Sequence, residues 1–459
     1  MELVRLVLAI GAATFIGWNI LYLFSFKRDR LYILEKAALS YGLGFGFISL
    51  EMFVFYFLNI KFSISALLMP WTALLILNLI FRLKNGRQAI AKKTLTGAEG
   101  NRFVNVFLLT GISFEALYAI FRALIKPIES YDAIAIYAIK AKIFYLARSI
   151  PQDFFYNLGT IFPHPDYPLN IPLSETFIYL FLGNFNDQLV KIIFPLFFLA
   201  VLIILYYGIR RFADNKTYAL AFTFILASVP QFNAYATNAY VDLVLAYYAC
   251  AAAIYLTLWL KDRSQLQFFY ISALMLALSG WTKNEGLMYC AAFFIVSFLF
   301  LIWERAALNG KTIFHIVKYF IITSVISLPW LYVRKTFHLV NSDISFANAN
   351  PVLLSKQLYK IWPIVYEFQR QVFGPKKWNL IWILFLFVLI VYRKRVFEPS
   401  QKYITMLLIF IISGYVLAYI LADVYIGYLV TTTWSRFLVH FLPIVVFLIA
   451  LILKEEARP

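Results

Sequence analysis

Asp132 opens a short helical stretch, AIAIYAIKAKIFYLARS (133–149), and Lys140 and Lys142 follow it on the same segment. A carboxylate at a membrane surface can act as general base toward an acceptor hydroxyl. Cationic side chains nearby can neutralise a phosphate leaving group on a lipid-borne donor. Both residue types sit here on one short helix, with Glu129 three residues before the aspartate. A plainer reading is equally open: Asp132 favours a helix N-terminus, the lysines reach headgroups, and Glu129 is a solvated loop acid. The segment FPHPDYPLNIPL (162–173) comes next, with prolines at 163, 165, 168 and 172. It predicts stiff, extended chain that holds His164, Asp166 and Tyr167 in a fixed place. His164 and Asp166 are too few ligands to make a metal motif. No metal site is therefore expected, and dependence on a divalent metal stays open.

Composition says what must position these residues. Of 459 residues, 63% are hydrophobic and 14% charged, against roughly 45–50% and 25% in soluble domains. Apolar runs of about 20 residues recur, each long enough to cross a hydrocarbon core of about 30 Å. They are apolar on all sides, so they read as helices and not as barrel strands. The expected fold is an all-α polytopic membrane protein of about thirteen transmembrane helices. The spans fall at about 3–26, 37–60, 62–83, 103–126, 188–209, 217–232, 241–260, 266–282, 286–303, 315–335, 379–396, 403–422 and 434–453. The first is too long for a signal-peptide core and lacks a small-residue cleavage site, so it reads as retained.

The formal net charge is +18, carried by short loops. Lys27, Arg28, Arg30 and Lys36 form one, and Arg82, Lys84, Arg87, Lys92, Lys93 and Arg102 a second. Arg210, Arg211 and Lys216 form a third, Lys261 and Arg263 a fourth, and Arg393, Lys394, Arg395 and Lys402 a fifth. With thirteen spans all five share one side, which the positive-inside rule makes cytoplasmic. No basic face interleaved with aromatics stands outside the membrane, so nucleic acid is not an expected partner. Loops 127–187 and 336–378 are then external. Within the first, the apolar stretch 172–183 is too short to span and suits an interfacial or re-entrant helix. Gly280 and Gly286 flank Lys283-Asn284-Glu285, which marks a turn between two spans. Cys250 and Cys290 lie in apolar runs and indicate no disulfide framework.

Ionisable residues in or beside spans are functional candidates by default. They are Asp242, Lys283, Glu285 and Arg436, with Glu51, Glu115 and Arg122. Plainer readings are a span-end cap for Asp242, an interfacial ion pair for Lys283 with Glu285, and snorkelling for Arg436. Glu115 and Arg122, seven apart, share a helix face and read as packing or ion-pair groups.

Several of these segments resemble the GT-C glycosyltransferases, in the bacterial branch related to protein O-mannosyltransferases and the lipid A aminoarabinose transferase. Asp132-Ala133, then Ile136 to Lys142, then His164-Pro165-Asp166-Tyr167-Pro168-Leu169 resemble that branch's "WDA…IWxLKAK…HPDYPLL" pattern, with Tyr131 and Tyr137 in place of tryptophans. Trp281 to Leu287 resembles its "LTKNEG" turn, Ala239 to Leu243 its second acid-bearing external loop, and Ser435 to Pro443 its "RYLLPLLP" segment. The likeness covers about 103–453, leaving 1–102 as a three-span addition to a catalytic domain at 103–459. It implies a multi-pass cell (inner) membrane enzyme with external juxtamembrane helices and a site facing the periplasm or exterior. It further implies inverting hexosyl transfer from a polyprenyl-phosphate-linked sugar to a glycan, lipid or protein hydroxyl. Asp132 would be the base, and Lys140, Lys142 and Arg436 would bind the donor phosphate. Glu129, His164, Asp166, Tyr167, Asp242, Lys283 and Glu285 would complete the site. The rival readings are a transporter or lipid flippase, whose usual inverted repeats are not visible here, and a non-catalytic envelope scaffold.

Overall fold

The computed structural model describes residues 1–24, 30–85, 98–156, 163–303, 310–340 and 351–454. Lys27, Arg28, Arg87, Lys92, Lys93, Phe162 and 341–350 of the second external loop lie outside them. The chain runs through α1 (Glu2–Leu23), α2 (Ile33–Phe57), α3 (Ile64–Asn85) and α4 (Arg102–Ile125). Then come α5 (Ile139–Ala147), preceded by a π-helical turn at Ala133–Ala138, and α6 (Asn170–Leu182). The bundle continues with α7 (Ile193–Ala213), α8 (Lys216–Ala227), α9 (Pro230–Tyr235), α10 (Asp242–Lys261), α11 (Leu266–Thr282), α12 (Asn284–Trp303) and α13 (Gly310–Thr336). Loop 336–378 contributes α14 (Pro351–Lys356), α15 (Ile361–Val372) and α16 (Pro375–Trp378). The chain ends with α17 (Ile381–Val391), α18 (Pro399–Leu421) and α19 (Ile426–Leu453).

This is an all-α polytopic membrane protein. Among the described residues nine helices are long and apolar enough to cross a bilayer, and α3, α8, α11 and α17 carry shorter apolar runs. These thirteen lie where the thirteen spans were expected, and nine of them are long enough to cross on their own. The basic loops gather at one end. Arg211 bonds the Arg30 carbonyl at 3.0 Å, Arg30 approaches Asp262 at 3.9 Å, and Lys216 pairs with Glu99 at 2.9 Å. Tyr218 donates to the Ala450 carbonyl at 2.7 Å, and Arg395 to those of Ile452 and Lys454 at 3.1 Å. The opposite end holds Glu2, bonded to Asn184 and Asn186, and the loops expected to be external.

The helices α1 and α2 join the same core. A Cβ at Gly17 would meet the Ser40 carbonyl oxygen at 1.8 Å, and one at Gly44 that of Ala13 at 1.8 Å, so small residues bring the two backbones together. Tyr247 and Tyr248 of α10 donate to the Ala38 and Gly42 carbonyls of α2 at 2.8 and 2.7 Å.

Loop 127–187 departs from expectation at one point and decides between two readings at another. Residues 163–169 form turns and not extended chain: His164 sits at φ 50°, and the Tyr167 amide bonds back to its carbonyl at 3.2 Å. The prolines restrict φ without enforcing one direction, and a left-handed residue between two of them reverses the chain. Second, α6 is not at the surface, which excludes the interfacial reading of this stretch and leaves the re-entrant one. Its 13 residues span only about 20 Å, and all but Phe181 are buried in protein. Buried polar groups need partners. Asn170 at its start donates to Thr282 Oγ1 at 2.8 Å and accepts from Ser49 at 2.9 Å, which in turn accepts from Trp281 Nε1 at 2.8 Å. This knot fastens the Pro-rich segment to the end of α11.

The turn after α11 forms as expected. Lys283 is extended (φ −157°, ψ 154°) between Thr282 and Asn284. Gly286 makes it possible, because a Cβ there would lie 1.8 Å from the Ser279 carbonyl oxygen. Gly286→Ala is predicted to lower thermal stability in detergent by at least the roughly 1–3 kcal/mol of overpacking. Gly11→Ala, with nothing within 4 Å of its Cβ, should leave stability unchanged or raise it by up to about 1 kcal/mol.

Candidate active site

The site is assembled at the end of the bundle away from the basic loops. Helix α4 stops at Ile125 because Lys126 precedes Pro127 and is driven to extended backbone (φ −123°, ψ 149°). Asp132 then begins the next helix, but its carboxylate makes no capping bond there. It reaches Arg436 of α19 instead, 304 residues away, at 2.5 Å from Nη1. Its side chain is 23% exposed.

Arg436 is held from behind by Asp242, the first residue of α10. Its Nε and Nη2 each lie 3.3 Å from a different oxygen of that carboxylate, the forked geometry that favours arginine over lysine. Asp242 is wholly buried, and its Oδ1 also accepts from Lys283 at 2.9 Å and lies 2.7 Å from His440 Nε2. Lys283 bridges on to Glu285 at 2.8 Å. Arg436 lies over the Tyr240 ring (5.1 Å) and Lys283 over that of Tyr167 (5.9 Å). Tyr167 stacks between His164 (4.9 Å) and Tyr137 (6.4 Å). Burial pushes the Tyr137 and Tyr167 hydroxyls well above their usual range, so both stay neutral.

Asp166 forms a neighbouring station. It is buried, accepts from Asn284, and lies 3.5 Å from Arg334 near the end of α13. Trp330 Nε1 holds its carbonyl at 3.1 Å. Burial raises its carboxyl above the ordinary range, with Arg334 pulling the other way.

The structure therefore brings together Asp132, Asp242, Lys283, Glu285 and Arg436, with His164, Asp166 and Tyr167 beside them. Glu129 and Lys142 stand apart, and Lys140 turns inward near Asp166 instead of toward Asp132. Glu129 is exposed and pairs with Lys126 at 3.4 Å. Lys142 is exposed and lies over the Phe185 ring at 4.8 Å. Lys140 is buried, with its amine lowered to about 7 by burial despite Asp166. Two residues apart on a helix point about 200° from each other, so both lysines could not face Asp132. Glu115 and Arg122 do not pair either: Asn233 donates to Glu115 at 2.9 Å, and Arg122 donates to Tyr118 at 3.2 Å. Among the described residues no group of three or more His, Cys, Asp or Glu side chains is arranged to hold a metal.

Reasoning from sequence missed Arg334, Asn284, Tyr240 and His440. The last carried a signal, since it follows Arg436 by four residues and so shares its helix face inside an apolar run.

Residues 164–332 match the family Dolichyl-phosphate-mannose-protein mannosyltransferase, in agreement with the GT-C likeness of the HPDYP and KNEG segments. The match takes in Asp166, Tyr167, Asp242, Lys283 and Glu285, and leaves Asp132 and Arg436 outside. Two solved structures of the Archaeoglobus fulgidus oligosaccharyltransferase are similar. One, in complex with Zn and sulfate, is 11% identical, covering 74% of this chain and 48% of that one, with a TM-score of 0.43. The other, AglB in complex with an inhibitory peptide and a dolichol-phosphate, is 12% identical, covering 77% and 50%, with a TM-score of 0.43. The chain spans about half the length of these proteins. No curated protein matches it.

Removing one member of a buried ion pair strands the other, at about 3–5 kcal/mol. Asp242→Asn and Lys283→Met are each predicted to destabilise by about that much. The double variant should cost clearly less than the sum, as read by thermal unfolding of all four proteins.

Proposed function

We propose that the protein is a multi-pass membrane glycosyltransferase. It transfers a sugar from a polyprenyl-phosphate donor to a hydroxyl of a glycan, lipid or protein acceptor on the extracytoplasmic face. The observation that carries this reading is the Asp132–Arg436 pair at 2.5 Å, partly open and at the end of the bundle opposite the basic loops. The positive-inside rule puts those loops in the cytoplasm, and hence the pair at the periplasmic or external face of the cell membrane. The family match over 164–332 supports a polyprenyl-phosphate donor.

The geometry suggests how the groups act. Asp242 grips Arg436 by Nε and Nη2, which leaves Nη1 to reach Asp132. Asp132, Asp242 and Glu285 face two basic side chains, Arg436 and Lys283. An arriving lipid phosphate competes with Asp132 for Nη1, and binding of the donor frees the base. Asp132 then takes the proton of the acceptor hydroxyl. The acceptor oxygen forms a bond to the anomeric carbon from the side opposite the phosphate, the carbon–oxygen bond to phosphate breaks, and configuration inverts. The departing polyprenyl phosphate is stabilised by Arg436, with Lys283 behind it.

The test is transfer of radiolabel from a polyprenyl-phosphate sugar. Asp132→Asn is predicted to lower kcat by about 10²–10⁴, the usual contribution of a positioned base. Activity equal to wild type would remove Asp132 from the mechanism.

A further inference from the structure

The closed side of Asp242 carries a hydrogen-bonded chain that the proposed reaction does not itself use. His440 Nε2 lies 2.7 Å from Asp242 Oδ1, His440 Nδ1 lies 2.7 Å from the Tyr415 hydroxyl, and that hydroxyl lies 3.1 Å from the Tyr289 hydroxyl. Asp242, His440 and Tyr289 are 0% exposed and Tyr415 is 1% exposed, so water does not compete along the chain. It links α10, α19, α18 and α12.

Its direction follows from donor chemistry. Oδ1 already accepts from Lys283 Nζ and Arg436 Nε, groups that have protons to give and no lone pair to offer. An oxygen with two cationic donors carries no proton of its own, so the third group on it must also donate, which makes His440 an Nε2–H imidazole. In the neutral ring Nδ1 is then an acceptor. Tyr415 donates to it and in turn accepts from Tyr289. The two hydroxyls hold the ring in this one tautomer, as second partners of a histidine commonly do.

We infer that His440 is a positioning residue that acts on the reaction through Asp242. Residues four apart share a helix face, so α19 presents Arg436 to the open side of that carboxylate and His440 to the closed side. The Nε2–H bond stops the carboxylate from turning away from Arg436. With Nε and Nη2 of the guanidinium tethered, Nη1 stays aimed at Asp132. Without His440, Asp242 rotates toward Lys283 and loosens Arg436 at the moment when charge develops on the departing phosphate. The catalytic consequence rests on the reading under Proposed function; the tautomer does not.

Two measurements separate them. The full chain contains four histidines, and ¹⁵N-histidine spectra of the protein in nanodiscs, with the His440→Gln spectrum subtracted, isolate the His440 ring. A protonated Nε2 with an unprotonated Nδ1 is expected. The opposite tautomer overturns the inference, as does a ring protonated on both nitrogens. In the transfer assay, His440→Ala is expected to lower kcat by about 10- to 100-fold, the worth of one charge-assisted hydrogen bond, with donor KM changed by less than about threefold. His440→Gln, whose amide can donate where Nε2–H did, should recover at least about tenfold of that loss. Wild-type kcat in His440→Ala overturns the inference, and so does a folded His440→Gln no better than His440→Ala. If wild type transfers no sugar, the glycosyltransferase reading and the catalytic role of His440 fail together, and the ring spectrum still decides the tautomer.

Discussion

A carboxylate removed from water must be neutralised by whatever the protein places around it, because an unpaired charge in a low-dielectric interior costs several kcal/mol. Asp242 is such a group. Its two oxygens collect a guanidinium, an ammonium and an imidazole from α19, the turn after α11 and α19 again. Each of these elements is thereby fixed in register with the start of α10. The cluster holds three spans together at one end of the bundle, and it leaves a single guanidinium nitrogen turned toward Asp132. Folding and chemistry draw on the same contacts, so variants at this end have to be judged by stability as well as by turnover.

The rest of the scaffold serves that end. Gly286 lets the backbones beside the Lys283 turn touch, and the Asn170–Thr282–Ser49–Trp281 knot fastens the Pro-rich segment to the same turn. Trp330 and Arg334 add the end of α13 around Asp166. The first two helices lie inside this arrangement, since α2 receives the hydroxyls of Tyr247 and Tyr248 in the core. Physically, α1 and α2 are part of the body that supports the site.

The spans could be read from sequence because a bilayer imposes a length and an apolarity that leave their mark on consecutive residues. The Lys283 turn was legible for a similar local reason, as glycines and charges interrupt one long apolar run. The pairing of Asp132 with Arg436 was not, since 304 residues separate them and only the folded chain brings the start of the π-helical turn to α19. Lys142 turns away because spacing along the chain says nothing of which helix face points inward, whereas Lys140, two residues before it, is buried near Asp166. His440 escaped notice as a polar residue hidden among leucines, valines and phenylalanines, although its offset of four from Arg436 was visible. The Pro-rich segment was expected to be extended and forms turns, because prolines limit φ without choosing between extension and a turn.

The account stands or falls on where the lipid phosphate meets the protein. An experimental structure of the protein with a polyprenyl phosphate bound would decide it. The account predicts the phosphate oxygens within hydrogen-bond reach of Arg436 Nη1, about 2.7–2.9 Å, with Asp132 released from that nitrogen. A phosphate seated among the basic loops at the other end of the bundle, with the Asp132–Arg436 pair intact, would contradict it.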